Sequence, residues 1–175
     1  MTFGPLNGRM VSFTYDARNR LTAVGGTAYQ YDAEGNRISV TDGVYNTRTD
    51  YVVNPHAALS QVLVKTDEQG HQTYYVYGLG LIGQEENGVY RTYHFNLRGS
   101  TVALTDNNGA VTDRFQYGPY GELVNHTGGT DIPFLYNGRD GVMTDANGLY
   151  YMRARYYDPE IRRFINKDVL VGRSG

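Results

Sequence analysis

The residue types that could carry chemistry are present, but their spacing brings few of them together. Four histidines, His56, His71, His94 and His126, stand far apart, without the short strand or helix spacing that converges two imidazoles on a metal. Single aspartates recur ahead of glycines, in Thr66-Asp67, Thr105-Asp106 and Thr144-Asp145. Several carboxylates in one loop would suggest calcium, whereas one per turn is the pattern of a side chain that bonds its own turn backbone. Cysteine is absent, which removes thiolate nucleophiles, zinc thiolates and disulfides together. Acidic residues are numerous, yet no spacing selects two of them as a glycosidase pair. Arg153, Arg155, Arg162, Arg163, Lys167 and Arg173 make the C-terminal end locally basic, the pattern of a solvated or ring-stacking face. Over the whole chain 16 basic residues face 18 acidic ones, so no global field recruits nucleic acid or an acidic membrane. No cofactor and no metal are expected, and no apolar run approaches the ~20 residues of a membrane-spanning helix.

The elements that must position these groups are strands. The chain carries 17 tyrosines, 22 glycines and no tryptophan. Tyrosine favours strands and glycine supplies the positive backbone angles of tight turns, so many short hairpins follow. Only Lys65 and Lys167 are lysines, and a preference for arginine suits a sheet whose cations stack on rings. A degenerate repeat runs through the chain in two phases. One is tyrosine-aspartate, in Tyr15-Asp16-Ala17-Arg18-Asn19-Arg20-Leu21 and Tyr31-Asp32-Ala33-Glu34-Gly35-Asn36-Arg37-Ile38, sixteen positions apart. The other is the Thr-Asp turn, at positions 66, 105 and 144, thirty-nine apart. Repetition on this scale means one supersecondary unit copied along the chain.

Alternation at the strand period recurs at Tyr93, Phe95 and Leu97, at Val102 and Leu104, at Phe115 and Tyr117, and over Tyr150, Met152, Ala154 and Tyr156. Asn-Gly at positions 7, 87, 108, 137 and 147, with Asp-Gly at 42 and 140, predicts hairpin corners between such runs. The clearest case is strand, turn, strand across Leu97 to Phe115. Helices fit poorly because glycine interrupts nearly every window. Two weak candidates remain: Ala57 to Val64, better as a strand in its second half, and one turn over Asp158 to Phe164 with Asp158 capping and Pro159 at the first position. The expectation is therefore an all-β chain of repeated antiparallel β-hairpins with at most one or two short helical turns. It is read as one body over 1–175, looser in its repeats over 12–90 and denser over 91–170. The first ten residues lack the pattern of a signal peptide and begin inside the repeat, so the chain reads as part of something longer.

Three stretches of the denser part, Tyr93-His94-Phe95-Asn96-Leu97-Arg98-Gly99-Ser100-Thr101, Tyr117-Gly118-Pro119-Tyr120-Gly121-Glu122 and Asn137-Gly138-Arg139, resemble the repeat-associated core of RHS/YD-repeat proteins. The strongest match is Gly148-Leu149-Tyr150-Tyr151-Met152-Arg153-Ala154-Arg155-Tyr156-Tyr157-Asp158-Pro159, continuing through Arg163-Phe164-Ile165 to Asp168. The resemblance implies a curved spiral sheet, a segment of a hollow β-shell with the core as a plug at one end. It also implies secreted or cell-surface polypeptides whose shell encloses a variable C-terminal toxin. The expected partners are the remainder of the same shell and that toxin segment. Unpaired strand edges add a further expectation, a dimer or a strand-swapped assembly.

The resemblance also implies a site. In the toxin-complex relatives the core is an aspartic autoprotease that releases the C-terminal segment, using two facing carboxylates of unequal proton affinity. Asp168, after Phe164-Ile165-Asn166-Lys167, matches the first aspartate, and Arg155, thirteen positions earlier, matches an arginine of the same site. Val169-Leu170 follow Asp168 where Pro-Ile-Gly is usual, and the second aspartate of the pattern falls beyond Gly175. A lone carboxylate makes no acid-base dyad, so the chain is expected to be proteolytically silent. Read from the residues alone, Asp168 is equally a surface carboxylate near Arg162 and Arg163, and Arg155 a cation stacked among the tyrosines of its strand. Three functions stay open: encapsulation or presentation of another segment, an incomplete self-cleaving site, and an adhesion module that binds glycan or protein.

Overall fold

A computed structural model describes residues 1–167. Thirteen strands follow one another: β1 (Thr2–Leu6), β2 (Arg9–Tyr15), β3 (Leu21–Val24), β4 (Thr27–Tyr31), β5 (Arg37–Asp42), β6 (Thr47–Asn54), β7 (Gln61–Thr66), β8 (Gln72–Tyr77), β9 (Leu81–Glu86), β10 (Val89–Phe95), β11 (Thr101–Thr105), β12 (Val111–Tyr117) and β13 (Leu123–Thr127). Each pairs antiparallel with the next, so the sheet order is the chain order. The chain then makes a 3-10 turn, Gly138–Asp140, and a second sheet of β14 (Met143–Thr144), β15 (Tyr150–Met152), β16 (Arg155–Asp158) and β17 (Arg163–Phe164).

The two phases of the sequence repeat mark the two rims of the large sheet. Alternate strands run toward one rim, and all of them except β6, which ends at Asn54, finish in an aromatic residue: Tyr15, Tyr31, Tyr77, Phe95 and Tyr117. At each of these residues the register with the following strand slips by one, a bulge. Tyr31, Tyr77 and Tyr117 then donate their hydroxyls to the carbonyls of Leu21, Val62 and Thr101, at 2.6, 2.9 and 2.7 Å, near the start of the preceding strand. The Thr-Asp turns at Asp67 and Asp106 lie at the opposite rim. Both kinds share one closure: the aspartate N–H bonds the carbonyl four residues on, and the N–H three residues on returns to the aspartate carbonyl. At Asp106 the side chain completes it, accepting from Asn108 and Ala110 N–H at 2.9 Å each.

Corners of other kinds occur where the sequence differs. Asn7-Gly8 and Asn87-Gly88 form the expected two-residue turns, both residues at positive φ. Asn108-Gly109 and Asn147-Gly148 instead end the longer Asp-led turn with glycine alone left-handed, and Asn137-Gly138 opens the 3-10 turn. Two segments depart from their sequence pattern. Tyr150 to Tyr156 is not one strand, because Arg153 adopts φ 59° and folds the run into a hairpin. Asp158 does cap the N–H groups of Glu160 and Ile161, at 2.8 and 3.3 Å, but the chain returns as β17 rather than continuing as a helical turn.

The large sheet is rolled. Tyr15 in β2 donates to Ile165 O at 2.7 Å, and Tyr157 donates to Tyr120 O, in the β12–β13 turn, at 3.1 Å. Tyr157 and Phe164, the neighbour of Ile165, are paired directly across β16 and β17. In a flat sheet β2 and β12 would stand ten strand spacings apart, about 48 Å. One small hairpin reaches both only because the wall curls around it. The roll stays open, since β1 and β13 are not paired with each other.

What fills the roll is the segment after β13. Its Ile132, Phe134, Leu135, Met143, Leu149, Tyr151 and Tyr156 meet Phe13, Leu21, Val24, Tyr29, Tyr75, Leu81, Tyr93, Leu104 and Phe115 of the wall in one buried cluster. This plug also covers the aromatic rim: Asn19 Nδ2 bonds Lys167 O at 3.1 Å, and Arg139 N–H bonds Gly99 O at 3.0 Å.

Candidate functional site

The most constrained place in the molecule is Arg37. It follows the Tyr31-Asp32 turn on an inward position of β5, and its side chain is wholly buried. Nη1 meets Asp145 Oδ2 at 2.7 Å and the Tyr156 hydroxyl at 3.2 Å. The guanidinium lies 4.3 Å from the ring centre of Tyr151 and 5.5, 5.7 and 5.9 Å from those of Tyr29, Tyr51 and Tyr156. Burial is the largest single effect and pushes against its charge, but Asp145, Tyr156 and Tyr51 together outweigh it and hold Arg37 well above its ordinary range. Burial likewise lifts Tyr51 to about 12. A permanent cation with one carboxylate and a collar of rings joins wall to plug. Its bonds run from β5 of the wall to Asp145, Tyr151 and Tyr156 of the plug, so it ties the two parts of the structure together.

A second centre lies where the chain leaves the wall. Asp113 on β12 is almost fully buried and accepts from Thr130 N–H at 2.9 Å, Thr130 Oγ1 at 2.7 Å and Thr112 Oγ1 at 2.7 Å, with His126 Nε2 at 3.1 Å. Burial raises its proton affinity, yet these bonds, led by Thr130, prevail and bring the carboxyl down to about 2. The His126 ring stacks on Phe115 at 4.4 Å. Aspartate and histidine here are two members of a relay that lacks its nucleophile: among the described residues no hydroxyl bonds the second nitrogen of His126. Beside Asp113 a cavity of about 560 Å³ opens at the Thr-Asp rim. Lys65, Asp67, His71, Glu86, Arg91 and Asp131 share its lining with threonines.

The residues singled out by the sequence fall elsewhere. Arg155 lies in the plug with its guanidinium 3.6 Å from the ring centre of Phe164 in β17. Asp168 lies outside the described residues. His71 meets Asp67 at 2.9 Å and His94 meets Thr105 at 2.9 Å on exposed faces, and among the described residues no three candidate ligands converge for a metal. Arg37, Asp113 and Asp145 were not picked out from the sequence as a site. The one available signal was polar residues on inward strand positions, Arg37 with Ser39 and Asp113 beside Phe115, and it does not name a partner.

No protein-family model matches the chain. It is 31% identical over 177 residues to the tRNA3(Ser)-specific nuclease WapA of Bacillus spizizenii, an alignment that takes in 94% of this chain and 7% of that protein. Salivary gland surface protein 1 of Aedes aegypti is 36% identical over 100 residues, 55% of this chain and 3% of that protein. Among solved structures, the crystal structure of TcdB2-TccC3-Cdc42 superposes with a TM-score of 0.68 at 21% identity, covering 90% of this chain and 9% of that one. The chain thus spans less than a tenth of the length of each of these three relatives. No helix among the described residues is long and apolar enough to cross a membrane.

Proposed function

We propose, from the premise that the chain is an RHS/YD-repeat protein related to toxin complexes, that it is the wall and end-plug of a shell whose lumen holds another segment of its parent polypeptide. One observation carries the reading. The plug is bonded to both ends of a thirteen-strand wall at the aromatic rim, while the opposite rim opens on a cavity lined by charged and hydroxyl-bearing side chains. A rolled antiparallel wall leaves few free edges along its length, the plug covers the apolar part of its inner face, and the polar lining of the open-rim cavity gives an unfolded guest little apolar surface on which to collapse. The guest is a C-terminal toxin segment, and the parent polypeptide works outside the cell or on its surface.

Limited proteolysis tests this. Within its parent polypeptide, the segment downstream of this chain should resist protease while the native wall is intact and be digested once Arg37→Ala has loosened the plug. Digestion at the same rate in both would overturn containment.

A second reading has one observation in its favour, the placement of Arg155 in the plug against Phe164, with the Lys167 carbonyl held by Asn19 immediately before Asp168. In this reading Asp168 and Arg155 belong to an aspartic self-processing site completed by a carboxylate further along the parent. Expression with about 30 residues of native downstream sequence, enough to include the second aspartate of the family pattern, should yield a cleaved fragment on a gel that Asp168→Asn eliminates. An uncleaved product in the unsubstituted chain would exclude it.

A further inference from the structure

At the plugged rim, the loop between β6 and β7, the β8–β9 turn, the 3-10 turn and the β15–β16 corner enclose a crevice of about 360 Å³. Its floor is the guanidinium of Arg153. That group is more than half withdrawn from solvent and has no carboxylate partner among the described residues. Nη2 donates to Asp140 O at 2.6 Å and to Ser60 O at 3.2 Å, while Nε is shielded and has no acceptor. Burial lowers the proton affinity of Arg153, with Tyr151, Tyr77 and Asp140 only partly opposing it. The Asp140 carboxylate itself is engaged by Arg139, at 3.2 Å. The backbone is shaped to fit. Arg153 holds φ 59°, a strained value for a side-chain-bearing residue, and a Cβ at Gly141 would collide with the guanidinium. Around the opening stand the half-exposed Leu59 and the fully exposed Leu79.

A partly desolvated cation without a counter-ion, at the base of a crevice with an aliphatic lip, is complementary to a carboxylate attached to an aliphatic group. We propose that this crevice binds a polypeptide carboxylate next to a leucine-like side chain, with Arg153 holding the carboxylate and Leu59 and Leu79 holding the aliphatic group. This inference does not depend on containment. The crevice lies among the loops of the plugged rim, so its occupant is a segment of another polypeptide.

The carboxylate could belong to a chain terminus or to an acidic side chain, and two probes separate these. Amide chemical shifts of residues 57–60, 78–80 and 139–141 should saturate with N-acetyl-leucine, or with acetyl-Leu-Glu-amide, at about millimolar concentration, the strength expected for so few heavy atoms. Saturation by the first alone assigns the terminus, and by the second alone the side chain. N-acetyl-leucinamide should bind at least about tenfold more weakly, since it lacks the charge. Arg153→Gln should remove the saturation. If that variant fails to fold, Leu79→Ser, fully exposed and therefore safe for folding, should weaken binding about threefold or more. Equal binding of acid and amide, no saturation by either acid, or binding indifferent to both substitutions would overturn the proposal.

Discussion

The turns at Asp106 and Asp145 close with the same two backbone hydrogen bonds, at 2.9 to 3.0 Å, and then part ways at the carboxylate. Asp106 stands at the open rim and uses its side chain on the turn, accepting from Asn108 and Ala110 N–H. Asp145 stands inside the roll and uses its side chain on Arg37, while the neighbouring Asn147 accepts the Leu149 N–H at 3.2 Å in its place. One sequence unit has thus been put to two uses. At the rim the carboxylate is a local brace that water could partly replace. In the plug it neutralises a cation that has no access to water, and the cost of losing it is set by burial rather than by turn geometry.

The largest test of that difference is Arg37→Ala. It strands the Asp145 carboxylate in a site where its exposure is 5%, and breaking a buried pair from one side costs about 3–5 kcal/mol. Urea denaturation should show the midpoint fall accordingly. The paired replacement Arg37→Met with Asp145→Leu should recover most of the loss, since apolar groups of similar volume often substitute for a buried ion pair. A small effect of Arg37→Ala would mean that the plug is held by its apolar contacts alone. Next in size is Asp145→Asn. The amide keeps the shape but not the charge, so a loss of about 2 kcal/mol is expected at neutral pH, well above that of the same change at the rim.

The hairpin wall was legible in the sequence for a local reason. Aromatic strand ends, glycines and Asp-led corners each specify a turn within five residues, and the paired strands follow without reference to the rest of the chain. That Tyr-Asp and Thr-Asp phases point to opposite rims also lies in the spacing, because strands of four to eight residues alternate direction. The Arg37 centre was not legible. Its partners Asp145 and Tyr156 are 108 and 119 residues away, and its inward position on β5 with Ser39 does not name them. The β15–β16 hairpin was missed because its alternation is perfect on paper and its corner carries an arginine, not a glycine, at positive φ. Both failures occur where tertiary contact overrides a local rule.

Acid separates the regions further. Asp113, brought down to about 2 in the folded chain, has an ordinary value near 3.8 when unfolded. Its stabilising contribution is complete above the unfolded value and disappears as pH falls from about 4 toward 2, because the unfolded chain then takes up the proton first. In Asp113→Asn the melting temperature should fall less steeply across that window than in the unsubstituted chain. Parallel curves would show that the bonds from Thr130 and His126 contribute nothing to folding. Smaller again is Tyr117→Phe, which deletes the hydroxyl bonded to Thr101 O at 2.7 Å and leaves a buried carbonyl short of a donor. About 1 kcal/mol is expected, read as a shift in urea midpoint.

The smallest expected effect is also the sharpest contrast with Asp145. Asp106→Asn replaces a carboxylate by an amide at the rim, where the job is to accept two N–H bonds and no cation is involved. The protein already contains this substitution at another corner: Asn96 accepts the N–H groups of Arg98 and Ser100 through its amide oxygen, both at 3.0 Å, within a turn of the same backbone pattern. An amide oxygen therefore suffices for the brace, and the change should alter stability by less than about 0.5 kcal/mol. If Asp106→Asn proved as costly as Asp145→Asn, the charge itself would matter at both turns, and the division between rim brace and buried counter-ion would have to be abandoned.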